Sequence, residues 1–123
     1  MRKDEPPHGV VVARAHGAFY VASGLWPLLH RRSFEAVFGR KRDYWLATTV
    51  ALLLIGNGTV QLSAPSTTAG IASARRIGVS TATTLASVDL VNVGRGRISR
   101  TYLIDGAAEL LWLWAWARTR PES

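Results

Sequence analysis

The sequence contains no cysteine and only 8 acidic residues in a chain of 123. The absence of cysteine excludes a disulfide-stabilised fold and any zinc or iron–sulfur centre held by thiolates. The 15 lysines and arginines outnumber the acids, which gives a net charge of +7. Apolar residues make up 48% of the chain, which is too many for a disordered tail. Two classes remain: a basic nucleic-acid-binding domain, and a small membrane protein with charged loops.

Formal charge is also absent from a long internal stretch. Between Asp43 and Arg75 lie 31 uncharged residues. The first part of this stretch, 44–62, has no polar face and would form a helix about 28 Å long, close to the thickness of a bilayer's hydrocarbon core. Tyr44 and Trp45 lie at its start, where membrane proteins concentrate aromatic side chains. The segment therefore predicts a transmembrane helix.

Three further segments are apolar around most of their circumference. They cover residues 10–29, 77–93 and 102–117. The three connections, of 14, 14 and 8 residues, suit antiparallel neighbouring helices. The sequence thus predicts an all-α fold: an antiparallel four-transmembrane-helix bundle, formed by a single domain over 1–123. The alternative is a soluble helical bundle with buried charges, but soluble helices carry one charged face.

The distribution of basic residues bears on partner and orientation. Lysines and arginines flank the apolar segments at separated points instead of lining one helix face, so no nucleic-acid partner is expected. The first and third connections hold eight basic residues, and the termini with the second connection hold six. Cytoplasmic loops are enriched in lysine and arginine. The expected location is the bacterial cytoplasmic membrane, with the first and third connections inside by a small margin.

The first connection predicts a short helix at the membrane surface. Phe34, Val37 and Phe38 would share one helix face, with Ser33 as N-cap and Gly39 as terminator. Basic residues flank this helix, namely Arg31, Arg32, Arg40, Lys41 and Arg42. We expect them to bind anionic lipid headgroups, although an ordinary basic loop would have the same composition. Membrane lipids are thus the expected partners, beside a second copy of the chain or another membrane protein.

Three stretches resemble a family of small bacterial integral membrane proteins with four spans. They read GLWPL, SFEAVFGRKRDYWLATTV and GRGRISRTYLIDGAAE. The pattern G-x-K-x-D-x-W-L is matched by Gly39, Lys41, Asp43, Trp45 and Leu46. The resemblance implies four helices in a bacterial membrane and supplies no activity.

Ionisable residues inside the predicted spans are the candidate functional residues, because charge within a bilayer is costly and needs a partner. Glu109 lies near the middle of its segment, at the depth of His16 and Arg14, which predicts a cluster of these three side chains. Asp89 and Asp105 lie nearer the third connection. Their expected ion-pair partners are Arg95, Arg97 and Arg100.

These polar residues are compatible with three functions. An accessory or interaction protein would use them to fix helix register, and its acids would be paired with arginine or histidine. A proton-coupled transporter, working as a homo-oligomer, would arrange them as a polar line between the two membrane surfaces. A membrane enzyme acting on a lipid-like substrate would direct its acids into an apolar pocket.

The first of these functions is the leading prediction. No nucleophile and base are paired at a convincing spacing, so no catalytic residue is assigned. No metal or cofactor is expected. His16 and His30 could each face a haem, but the second axial ligands would have to come from another subunit.

Overall fold

The computed structural model describes residues 9–38, 44–96, 98 and 100–119. This part of the chain contains helices and no strand, which confirms the predicted all-α class. The helices are α1 (Val10–Leu29), α2 (Arg31–Phe38), α3 (Tyr44–Ser63), α4 (Thr68–Gly94) and α5 (Tyr102–Arg118).

The four long helices match the predicted segments, with one extension. Helix α4 begins at Thr68 instead of residue 77, because the Thr67 side chain accepts a hydrogen bond of 3.0 Å from the backbone N–H of Gly70 and so caps the helix. The prediction placed the boundary after Arg75 and Arg76. Charged side chains such as Arg75 and Arg76 limit how much of a helix can lie in hydrocarbon, but they do not terminate the helix itself.

Each long helix runs antiparallel to the long helix that follows it in the chain. At the first end of the bundle, an apolar cluster joins the start of α1 and of α4 to the end of α3 and of α5. Its buried members are Ala13, Ala64, Ile71, Ala74 and Trp116. At the second end, the Tyr44 hydroxyl of α3 donates to the backbone carbonyl of Pro27 in α1.

The short helix α2 lies across this second end. Its Phe38 ring contacts Tyr102, at the start of α5, with centroids 4.8 Å apart. The predicted Ser33 cap is wrong, because α2 begins three residues earlier than that cap requires. The capping side chain is His30, whose Nδ1 accepts from the Ser33 backbone N–H at 3.2 Å. The predicted terminator, Gly39, lies outside the described residues.

Helices α1 and α3 pack with their backbones in close approach. A Cβ on Gly17 would lie 2.7 Å from the Gly58 carbonyl oxygen, and one on Gly24 would overlap the Ala51 carbonyl. These positions are seven residues apart on each helix, so they recur on one face. The packing produces two helix pairs, α1 with α3 and α4 with α5, which make fewer contacts with each other than within themselves.

Large aliphatic side chains lie mostly on the outside. Leu29, Leu53 and Leu111 are 77%, 61% and 60% exposed, whereas most residues of the interior are alanines, glycines and polar side chains. Soluble proteins show the reverse distribution. Among the described helices, α3 alone is long and apolar enough to cross a membrane by length and composition.

Candidate functional site

A line of polar side chains runs between the two helix pairs and is called the polar seam below. Its members are His16, Tyr20, Gln61, Asp89, Asp105, Glu109 and Trp116. All are buried except Asp105, which is half-buried. Every long helix contributes at least one member, so the seam exists only when both pairs are assembled.

His16 is the centre of a hub in which all four long helices meet. Its Nδ1 accepts hydrogen bonds from Gln61 Nε2 at 3.0 Å and from the Trp116 indole Nε1 at 2.9 Å. Helix α4 contributes Gly78, where a Cβ would lie 2.6 Å from Gln61 Nε2. An indole N–H can only donate. Nδ1 is therefore the acceptor nitrogen, and in the neutral ring the proton is assigned to Nε2.

The next step along the seam joins α1 to α5. The Tyr20 hydroxyl donates to Glu109 Oε1 at 2.7 Å, and both side chains are fully buried. The Tyr20 ring centroid lies 4.2 Å from that of His16, which also stacks on Trp112 at 4.6 Å. The hub and the Tyr20–Glu109 pair are therefore contiguous.

Three carboxyl groups form an acidic cluster on the second-end side of Tyr20. Asp105 interacts electrostatically with both Asp89 and Glu109. Asp89 packs against Gly106, where a Cβ would lie 3.6 Å from that of Asp89. Tyr102 interacts electrostatically with Asp89 and Asp105, so the cluster reaches the end of the bundle covered by α2.

The predicted arginine partners of Asp89 and Asp105 are not found where the structure describes them. Arg95 and Arg100 are exposed, and neither forms an ion pair with an acid of the described residues. The physical reason is that Arg95 and Arg100 lie on the outside of the turn between α4 and α5, whereas the two acids lie on the faces where α4 and α5 meet. Arg97 lies outside the described residues.

The predicted contact between Arg14 and Glu109 is also wrong. The Arg14 guanidinium donates instead to the Gln61 carbonyl at 2.9 Å, to the Ala64 carbonyl at 2.7 Å and to Ser66 Oγ at 3.1 Å. The last carbonyls of a helix lack partners within the helix, and the end of α3 lies beside the start of α1. Arg14 therefore caps α3 and does not reach the acids, which have no ion-pair partner in the described part of the chain.

His16 and Glu109 do lie in one seam, as predicted, but Tyr20 bridges them. The prediction did not include Gln61. The available signal was a second amide four residues after Asn57 in a mostly apolar segment, since buried amides in such a segment need partners on another helix.

Four buried atoms of the seam have no hydrogen-bond partner within the described protein. They are His16 Nε2, Gln61 Oε1, Asp89 Oδ2 and Glu109 Oε2. Buried polar atoms are nearly always satisfied, so the three oxygen atoms mark where the seam can accept a hydrogen bond. His16 Nε2, which carries the ring proton, marks where the seam can donate one. Among the described residues, no group of three potential ligands has metal-binding geometry.

The predicted headgroup-binding residues divide into two groups. Arg31 is engaged within the protein, because its Nε lies 2.8 Å from Glu35 Oε1 and its guanidinium carbon lies 3.8 Å from the Tyr44 ring centroid. Arg32 is exposed and lines a surface groove with Arg31, Glu35 and Ala36. The other predicted residues, Arg40, Lys41 and Arg42, lie outside the described part of the chain.

Comparison with protein-family models, curated proteins and solved structures finds no match to this chain.

Proposed function

We propose that this chain is a four-span protein of the bacterial cytoplasmic membrane and that its polar seam transfers protons as part of a small proton-coupled transporter. The observation that carries the proposal is the acidic cluster: three neighbouring carboxyl groups, enclosed by helices, with no ion-pair partner among the described residues.

The membrane assignment is supported by the distribution of side chains. Leucines on α1, α3 and α5 are largely exposed, and most buried residues are small or polar, with Tyr20 and Trp116 the largest of them. In water this arrangement would expose apolar surface and bury polar groups, both at a cost. In a bilayer the leucines contact lipid, while small interfacial residues allow close helix packing. Helix α3 satisfies the length and apolarity of a span by itself.

Proton transfer is supported by the chemistry along the seam. Tyr102 and the acidic cluster lie toward the second end, followed by the Tyr20–Glu109 pair and then by His16 and Gln61. Carboxyl, phenol and imidazole groups can each bind and release a proton. Ionised carboxylates at close quarters repel one another, so bound protons would stabilise the cluster.

The arrangement favours transport over the other two functions. An accessory protein that uses its acids to fix helix register would pair them with arginine or histidine, but Arg14, Arg95 and Arg100 bind elsewhere or are exposed. The acids of an enzyme would converge on an apolar pocket, whereas Asp105 faces two other acids. The accessory role, the lipid-like substrate and the family resemblance stay predictions.

The test is proton flux into liposomes that contain the purified protein. A potassium gradient with valinomycin would drive protons, and an entrapped pH-sensitive dye would report their entry. We expect flux above that of protein-free liposomes, and we expect Glu109→Gln to abolish it because an amide cannot carry the proton.

The matched control is Glu35→Gln, the same chemical change in α2 and outside the seam. This variant should retain wild-type flux. Absence of flux from folded wild-type protein, or equal flux from Glu109→Gln, would contradict the proposal. Helical circular dichroism would establish that each protein is folded.

A further inference from the structure

The hub at His16 has a feature that proton transfer through the seam does not require. Two N–H groups from different helices converge on a single ring nitrogen, Nδ1. We propose that Gln61 and Trp116 lock His16 in its Nε2–H tautomer and thereby form the rate-limiting barrier to protons at the first-end side of the seam. This inference rests on the proposed function and assigns Gln61 and Trp116 as positioning residues.

The argument follows from how an imidazole relays a proton. The ring accepts a proton at one nitrogen and releases the proton held by the other. In His16 the lone pair of Nδ1 is occupied by the Gln61 and Trp116 donors, and neither an indole nor an amide N–H titrates in this range. Nε2 already carries a proton. The neutral ring can therefore accept a proton at neither nitrogen while both hydrogen bonds last.

Relay becomes feasible once the two hydrogen bonds break. A hydronium ion from the first-end side then gives a proton to Nδ1, which forms an N–H bond and leaves water. The Nε2–H bond of the resulting imidazolium breaks, and its proton passes toward the carboxylate of Glu109. One proton enters, one leaves, and the ring remains neutral as the Nδ1–H tautomer.

The packing around the hub protects the two hydrogen bonds. A Cβ at Gly78 would lie 2.9 Å from His16 Nδ1 and 2.9 Å from Trp116 Nε1, so the α4 backbone packs directly against the locked atoms. Ala13, Ala74 and Trp116, all fully buried, belong to the apolar cluster between the hub and the first end. These members of the cluster place apolar groups between Nδ1 and the first end.

The test removes one donor at a time. Trp116→Phe keeps an aromatic ring on α5 but has no N–H, and Gln61→Leu removes the amide on α3. Each variant removes one neutral hydrogen bond to Nδ1 and so lowers the barrier to proton transfer. We expect proton flux in the liposome assay to rise about fivefold. The double variant Trp116→Phe with Glu109→Gln should show no flux, because the proton still has to pass through Glu109.

The control is Trp114→Phe, the same substitution two residues away on α5, where the side chain is 56% exposed. We expect wild-type flux from this variant. If the wild type shows flux and neither Trp116→Phe nor Gln61→Leu changes it, the inference of a barrier at His16 is wrong and the proposed function stands. Absence of flux from every variant would overturn both.

A spectroscopic measurement tests the lock without any flux. Nitrogen-15 NMR of labelled histidine distinguishes the two neutral tautomers, and His16→Gln identifies the signal of His16. We expect the Nε2–H tautomer in the wild type and a mixture of tautomers in Trp116→Phe. A dominant Nδ1–H tautomer in the wild type would overturn the inference.

Discussion

Arg14 illustrates how one side chain stabilises the end of a neighbouring helix. Its guanidinium binds the carbonyls of Gln61 and Ala64, and hydrogen bonds that involve a charged group contribute about 1.5–3 kcal/mol each at most. We expect Arg14→Gln to lower the free energy of unfolding by about 1–3 kcal/mol, measured by denaturant titration in detergent micelles.

The control for Arg14 is Arg32→Gln, because Arg32 is exposed on α2 and forms no contact with the end of α3. That variant should unfold like the wild type. If the two variants have the same free energy of unfolding, the Arg14 cap at the end of α3 does not stabilise the fold.

At the residue scale, the sequence predicts depth better than partners. His16 and Glu109 lie at similar depth because α1 and α5 begin at opposite ends of the bundle. Counting residues from the ends of the two segments predicts this depth. The partner of Arg14 could not be predicted in this way, because it consists of backbone carbonyls. Such acceptors exist in every helix, and only the packing of α3 beside α1 makes these two available.

At the element scale, the close approach of α1 and α3 gives a paired test within one helix. A Cβ on Gly58 would collide with the backbone of Gly17, whereas a Cβ on Gly56 would meet nothing within 4 Å. We expect Gly58→Ala to destabilise the protein by about 1–3 kcal/mol through overpacking, measured by the same denaturant titration.

Gly56→Ala is the matched control, with the same substitution two residues away on α3. It should leave stability unchanged or raise it by up to about 1 kcal/mol, since alanine favours the helix. Equal effects at the two positions would show that α1 and α3 do not pack through these glycines.

The helices themselves are largely predictable, and their boundaries less so. The apolar runs predict the long helices, and the shared face of Phe34 and Phe38 predicts α2. The start of α4 and the cap of α2 depend on single hydrogen bonds from Thr67 and His30. Histidine is a less common N-cap than serine or threonine, so the residue types in this segment favour Ser33 as the predicted cap.

At the scale of the whole molecule, the predicted orientation can be tested cleanly because the chain has no cysteine. Thr68 lies at the first end, at the start of α4, and Ala36 lies at the second end, on α2; both are exposed. If the second end is cytoplasmic, a membrane-impermeant maleimide should label Thr68→Cys and not Ala36→Cys in spheroplasts.

The wild-type chain offers no thiol and is the blank for this experiment. Labelling of Ala36→Cys alone would reverse the predicted orientation. Equal labelling of the two variants would contradict a single orientation. Labelling after the spheroplasts are opened would show that both thiols can react.

The arrangement of the helices relative to one another is the part that the sequence does not supply. Connection lengths predict antiparallel neighbours, but they do not say that α1 packs on α3 through backbone contact or that α4 and α5 form a second pair. Those choices depend on where Gly17 and Gly24 face Gly58 and Ala51. The seam follows from this pairing, because its members lie where the pairs meet.

The division into two helix pairs has a consequence for how specifically the two pairs associate. Contacts between the pairs include Tyr20 with Glu109, His16 with Trp116, and Asn57 with Thr81 at 3.0 Å. Shape alone does not specify such an interface, because these three donors on one half have their acceptors on the other. Two separately synthesised halves, divided between α3 and α4, would each carry polar groups that lack their partners until the halves associate, and in the proposed membrane setting those groups would favour specific association of the two halves.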